Sequence, residues 1–246
     1  MKLLIDIGNT TTSMGLWENR RLSMIISGNN NKLFTILRKH SKKEIDEILF
    51  TSVIGIKENK VIIDKLKKIY KCDVKQIKAS SALLGVTNGY TNPKNLGADR
   101  WVTIVASSIL YKQLLMIIDC GTAISIDIVN ERGMHLGGYI LGGADDYNES
   151  FRNAHHLKNI KIKHDIASQS KSFPNSTQDG IREGYLLMII SAIENTYNQI
   201  KKNLKISPKV IISGGYGDII SRRLSIRSKY DSDLVLKSIG IISDYQ

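Results

Sequence analysis

Leu3-Leu4-Ile5-Asp6-Ile7-Gly8-Asn9-Thr10-Thr11-Thr12 stands near the start of the chain, and Met116-Ile117-Ile118-Asp119-Cys120-Gly121-Thr122-Ala123 repeats its plan. Each is a hydrophobic run, then Asp-x-Gly, then hydroxyl-bearing residues and a second β-rich run. Short apolar runs bounded by glycine predict buried strands. Glycine lets the backbone turn tightly and approach a ligand closely. Successive N–H groups and hydroxyls in such a turn can hold phosphate oxygens. A carboxylate beside a phosphate repels it unless a cation lies between them. Two such turns in one chain therefore point to two lobes gripping a metal-bound nucleotide. A single Asp-Gly turn reads as an ordinary hairpin turn; its recurrence in the same context argues against that.

Around the first turn, strands are expected at Lys2–Asp6, Thr11–Trp17 and Arg21–Ile26, with Glu18-Asn19-Arg20 as a polar link. Asn29-Asn30-Asn31 is expected to begin a short helix through Lys39. A strand at Glu47–Ser52, an amphipathic helix at Lys57–Tyr70 and a strand at Asp73–Ile77 follow. Ala79 to Leu96 reads as a long irregular stretch, which in a compact domain is often functional. A helix then runs from Ala98 to Tyr111.

The pattern restarts at Leu115. Strands at Leu115–Asp119, Ala123–Val129 and Met134–Leu141 repeat the opening plan, as in a degenerate duplication. The expected domains are residues 1–114 and 115–246. A long helix is expected from about Thr177 to Leu204, then a strand at Val210–Ser213 ending in Gly214-Gly215, a short strand and a terminal helix. The long helix shows one apolar face of Ile181, Tyr185, Met188, Ala192 and Ile200, and a second of Leu186, Leu187, Ile190 and Ile193. Apolar residues over most of a helix imply burial on more than one side, between domains or at a subunit interface. A symmetric dimer is the expectation.

The 246 residues can bury a large core, and 42% hydrophobic with 24% charged residues is an ordinary globular composition. No apolar stretch is long enough to span a membrane. The chain enters a strand at once, without the regions of a signal peptide, so a cytoplasmic location is expected. Cys72 and Cys120 give neither a disulfide framework nor a metal-ligand pair by spacing. The formal charge of +12 is compatible with nucleic acid, an anionic substrate or a lysine-rich source. No nucleic-acid-binding signature accompanies it, so the basic runs read as solvated faces. Adjacent His155 and His156 diverge and lack a third ligand at metal spacing.

The three-strand repeat, the two Asp-Gly turns and the late Gly-Gly resemble the acetate and sugar kinase, heat-shock chaperone and actin superfamily. The fold implied is α/β, with two duplicated ribonuclease H-like (actin-like ATPase) domains, their mixed sheets flanked by helices. Within it, Gly89-Tyr90-Thr91-Asn92-Pro93, Gly97-Ala98-Asp99-Arg100 and Leu136-Gly137-Gly138-Tyr139-Ile140, taken in order with the two turns, resemble the type III pantothenate kinases. That resemblance implies transfer of the γ-phosphoryl group of ATP to the primary hydroxyl of pantothenate, the first step of coenzyme A synthesis. It further implies a cytoplasmic homodimer that uses a monovalent cation, K+ or NH4+, together with Mg2+.

By the same resemblance, Asp99 is the proton acceptor. Asp6, Ile7, Gly8, Asn9, Thr10, Thr11, Thr12, Ser13 and Thr122 match ATP-binding positions. Asn9, Thr10, Thr12 and Thr122 would donate to phosphate oxygens, and Gly214-Gly215 would let the backbone approach the adenosine. Tyr90, Gly97, Ala98, Asp99, Arg100 and Thr177 match substrate-binding positions. Asp119 matches the monovalent-cation ligand, and Asp6 a divalent-cation ligand through water. Arg100 would either attract the pantothenate carboxylate or fix Asp99 through an ion pair. No membrane and no nucleic acid are expected as partners. Two departures stand out: Gly142-Gly143 replaces the usual Pro-Gly and is followed by Ala144-Asp145-Asp146, and Gly55 replaces a usual proline. The first implies a more flexible loop whose acids would weaken nucleotide binding or alter domain closure. The competing readings are a kinase acting on another small alcohol or acid, and a weak or inactive homologue serving as a regulatory, nucleic-acid-associated factor.

Overall fold

The computed structural model describes residues 1–30, 44–154, 157 and 173–245. Of the helix expected to begin at Asn29-Asn30-Asn31, Asn29 is instead the last residue of a strand, and its continuation to Lys39, like the pair His155 and His156, lies outside the described residues. Two five-stranded sheets share one topology. In the first, β1 (Lys2–Ile7), β2 (Thr11–Glu18), β3 (Arg21–Asn29), β4 (Glu47–Ser52) and β5 (Asp73–Gln76) lie in the order β3-β2-β1-β4-β5. β1 runs antiparallel to β2 and parallel to β4, so the sheet is mixed. In the second, β8 (Leu115–Cys120), β9 (Ala123–Val129), β10 (His135–Gly142), β11 (Lys209–Ser213) and β12 (Ser228–Tyr230) lie in the order β10-β9-β8-β11-β12. The duplication read in the sequence is thus present in the strand order.

Strand alternation sets where the acids go. Leu3, Ile5 and Ile7 point into a core with Ile48, Phe50 and the buried Ile62 and Leu66 of α1 (Ile56–Tyr70). Successive residues of a strand face opposite ways, so Leu4 and Asp6 lie on the other face. β8 repeats this: Met116, Ile118 and Cys120 enter the second core, leaving Ile117 and Asp119 on its reverse. In each sheet the aspartate stands opposite a buried hydroxyl residue of the neighbouring parallel strand, Thr51 for Asp6 and Ser213 for Asp119.

The stretch from Ala79 to Leu96 is more ordered than expected. It forms a hairpin of β6 (Ala82–Leu83) and β7 (Val86–Thr87), then a 3-10 turn at Pro93–Asn95. Asn88 holds it: its Nδ2 donates to the carbonyls of Ser80 and Pro93, and its Oδ1 accepts from Tyr90 N–H. α2 (Ala98–Tyr111) follows as expected, with Trp101, Val102, Ile104 and Val105 fully buried.

The second core is built on α4 (Thr177–Leu204). Its buried stripe is Ile181, Tyr185, Ile189, Ile193, Thr196 and Ile200. Steps of three and four keep these on one face. The expected first face is therefore corrected: Ile189 takes the place given to Met188, which is 48% exposed beside Leu187 at 68%. α5 (Gly217–Arg223) was not expected; Arg223 ties it to Glu183 of α4. Burial pushes the Glu183 carboxyl up, but bonds from Arg223 and Arg182 outweigh it and hold the group below its ordinary value.

The compact units are not a simple halving of the chain. One holds Met1–Lys112, Val129–Gly137 and the residues from Asp233 onward; the other holds Gln113–Ile128 and Gly138–Ser232. The terminal helix α6 (Leu234–Ser243) thus belongs with the first sheet, not with residues 115–232 as expected. The reason is packing against β1 and β2. A Cβ on Gly240 would lie 2.4 Å from the Trp17 indole, so the ring sits directly on the helix backbone. Trp17 Nε1 donates to Asp244 at 3.1 Å, and Lys2 Nζ to the Ser243 carbonyl at 2.8 Å.

Candidate active site

The first unit carries Asp6 through Ser13, Tyr90 and Gly97 through Arg100; the second carries Asp119, Thr122 and Thr177. In the first turn, Gly8 N–H donates to the Thr11 carbonyl at 2.9 Å. Asn9, Thr10 and Thr11 are exposed at its tip, and Asp6, Gly8 and Ser13 are half-buried. Thr12 departs from its expected role. It is 2% exposed, and its hydroxyl donates to Asn30 Oδ1 at 2.7 Å, so its proton is directed inward. Ile7 is buried in the core.

The second turn closes in the same way, Gly121 N–H donating to the Ala123 carbonyl at 3.1 Å, with Thr122 exposed. Its supports are backbone rather than side chain. A Cβ on Gly143 would lie 1.9 Å from the Thr122 carbonyl oxygen, and one on Gly214 would lie 2.4 Å from the Cys120 backbone. Gly214, at φ +87°, is therefore engaged with the turn, and only Gly215 is exposed. Burial, then the Asp119 charge, pushes the Cys120 thiol up, so it stays protonated and is no nucleophile.

The departure at residues 142–143 is not a loop. Gly142 ends β10, and Gly143 caps the short α3 (Ala144–Ser150). Asp145 and Asp146 occupy its first turn, where negative charge is favoured by the helix dipole. The expected flexibility is thus corrected: the acids start a helix. Gly55, at φ −63° and ψ 160°, keeps the φ a proline would impose.

Tyr90 and Gly97–Arg100 draw together within the first unit. Gly97 caps α2 and Asp99 lies in its first turn, its Oδ1 accepting from Arg100 N–H at 2.7 Å. A Cβ on Gly97 would meet that same Oδ1 at 2.6 Å, so the carboxylate folds back over Gly97. Arg100, 9% exposed, donates from its guanidinium to the Tyr90 hydroxyl at 3.0 Å. Beneath Tyr90 lies His135, 1% exposed, its ring stacked at 5.7 Å. A Cβ on Gly89 would lie 1.9 Å from the His135 carbonyl, which is why glycine precedes the tyrosine. The sequence reading missed His135, Asn88 and Asn30. The first two flank the recognised motifs by one residue, which is the only signal they give. In the second unit, Thr177 is exposed as the first residue of α4, capped by Ser176.

The model of the type III pantothenate kinase family matches residues 2–199. The chain belongs to the type III pantothenate kinase family. A family member from Pseudoalteromonas translucida is 32% identical and covers 98% of this chain and 95% of its own. A solved structure from Campylobacter jejuni, described as a Baf family transcriptional activator, has a TM-score of 0.63 at 20% identity and covers 99% of this chain and 98% of its own. A ROK hexokinase from Thermus thermophilus has a TM-score of 0.51 at 10% identity, with 99% of each chain covered. At these identities the two structures bear on fold alone: an α/β actin-like ATPase fold. Type III pantothenate kinases are ATP-dependent enzymes, so the expected kinase class and its nucleotide follow from membership.

Tyr90→Phe tests the cluster. It removes the hydroxyl that accepts from the Arg100 guanidinium, and a hydrogen bond to a charged group is worth about 1.5–3 kcal/mol. If Tyr90 faces substrate, the KM for pantothenate rises about tenfold or more while the KM for ATP is unmoved. Equal shifts in both would assign Tyr90 to the fold alone.

Proposed function

We propose that this chain phosphorylates pantothenate at its primary hydroxyl with ATP, giving 4′-phosphopantothenate for coenzyme A synthesis. The observation that carries this reading is the family match over residues 2–199. Asp99 accepts the hydroxyl proton as the oxygen attacks the γ-phosphorus, and the bond from that phosphorus to the β–γ bridging oxygen breaks to release ADP. A neutral alcohol is a weak nucleophile, and a placed carboxylate is worth about 10²–10⁴-fold in such a step. Tyr90, Gly97, Ala98, Arg100 and Thr177 bind and orient pantothenate, with the Arg100 charge suited to its carboxylate. The turn from Asp6 to Ser13, together with Thr122, holds ATP through N–H groups and hydroxyls; Thr12 contributes from inside the turn.

Two cations belong to this reading. Among the described residues no group of three or more His, Cys, Asp and Glu side chains could enclose a metal. Mg2+ keeps several waters and shares one or two carboxylates with substrate phosphates. Asp6 would hold it through water, and the half-buried Asp119 would hold K+ or NH4+ at the second turn. Bound there, the cations supply charge neutralisation on the phosphate oxygens. A homodimer is part of the proposal, supported by the exposed Leu187 and Met188 on α4. So is a cytoplasmic location, supported by family membership; among the described residues no helix is long and apolar enough to cross a membrane.

Phosphopantothenate formation, measured with Mg2+ and with potassium exchanged for sodium, is the test. Product that needs ATP and rises with potassium is expected; folded protein that makes none overturns the reading. Asp119→Asn should lower the potassium rate about tenfold or more, toward the sodium rate, because the cation loses its charged ligand. A potassium response left intact would remove Asp119 from that role.

A further inference from the structure

We propose that Asn30 is a positioning residue for the nucleotide, holding the Gly8–Thr12 turn with its N–H groups aimed at the phosphates of ATP. This rests on the reading of that turn as the phosphate site.

Asn30 follows the last residue of β3, yet its contacts are with residues 8–12. Its Nδ2 donates to the Gly8 carbonyl at 2.9 Å and to the Asn9 carbonyl at 3.1 Å. Its Oδ1 accepts from Thr12 Oγ1 at 2.7 Å, and its own N–H donates to the Thr10 carbonyl at 3.3 Å. The amide has two donor hydrogens and two acceptor sites, and two carbonyl partners fix which end is nitrogen.

The consequence follows from peptide geometry. Each peptide unit is planar and trans, so its C=O and N–H point in opposite directions. Drawing the carbonyls of Gly8 and Asn9 toward Asn30 turns the N–H groups of Asn9 and Thr10 away from it. Both residues are exposed. Two successive N–H groups facing one way form a concavity suited to an anion. Asn30 thus acts on ATP through the backbone of Asn9 and Thr10, without touching the ligand itself. Asparagine is specified here over aspartate, whose second oxygen would face two carbonyls and repel them.

The test measures Mg·ATP binding by calorimetric titration, without pantothenate, together with steady-state KM values. Asn30→Ala and Asn30→Asp are expected to weaken Mg·ATP binding about tenfold and raise the KM for ATP by the same factor. The KM for pantothenate and the melting temperature should hold. Thr12→Val, which removes one bond of the set, should move ATP less. Wild type that binds ATP no better than Asn30→Ala overturns the inference and leaves the turn assignment standing. Parallel loss of both substrates with a lowered melting temperature makes Asn30 a fold residue and also overturns it. Folded wild type that binds no nucleotide removes the turn assignment, and the inference with it. If Asn30→Ala does not fold, Asn30→Ser, which keeps one donor and one acceptor, is read by the same criteria.

Discussion

Asp99→Asn is expected to lower kcat by about 10²–10⁴-fold while leaving fold and nucleotide binding in place. The two side chains have the same shape. The substituted amide keeps an oxygen that can accept from Arg100 N–H, the bond seen at 2.7 Å for Asp99. What is lost is basicity and a negative charge in the first turn of α2. The charge at a helix start contributes about 0.3–1 kcal/mol, so the melting temperature should move little. Kinetics, a nucleotide titration and a thermal melt together separate the outcomes. Near-normal turnover would show that another group accepts the proton. Lost turnover with lost ATP binding or a collapsed melt would show that Asp99 is structural.

Gly143→Ala is expected to have the next largest effect, lowering kcat/KM about a hundredfold. A Cβ there lands 1.9 Å from the Thr122 carbonyl oxygen and 3.2 Å from that of Gly121. Backbone must move, because no flexible side chain tip is available to yield. Overpacking of this kind costs about 1–3 kcal/mol of stability or more. The displaced backbone belongs to the turn beside Asp119, and a misplacement of about 1 Å can cost 10²-fold in rate. Gly180→Ala is the control. A Cβ at that helical position meets nothing within 4 Å, so it should stabilise by about 0.5–1 kcal/mol. If Gly143→Ala retains full activity, the contact with Thr122 does not set the turn.

The duplication and its two turns were legible because they depend on local pattern. Hydrophobic runs, Asp-x-Gly and hydroxyl residues recur in both halves, and the strand orders match. α2 was legible to the residue, since a capping Gly97 and a buried apolar run define it locally. What stayed hidden depends on distant partners. Asn30 sits among three asparagines that favour turns, and only strand pairing brings it to Gly8. Thr12 looks like its neighbours Thr10 and Thr11, but the inward side of β2 takes its hydroxyl. His135 gives no local sign that it floors Tyr90 beyond standing one residue before Leu136. On α4, apolar residues on two faces could not say which stripe the second core would take; the step from Tyr185 to Ile189 did.

The packing of α6 on the first sheet also bears on how the chain comes off the ribosome. Trp17 and Asp244 meet across 227 positions. Most of the first unit is synthesised early, but the helix that covers Trp17 arrives only after Asp233. At about 5–20 residues per second, its apolar surface waits roughly 10–40 s for that helix. Residues 113–232 are likewise synthesised before α6, and leave the ribosome ahead of it. The second unit therefore has the means to fold first, and nascent chains halted before Asp233 present the Trp17 surface to chaperones.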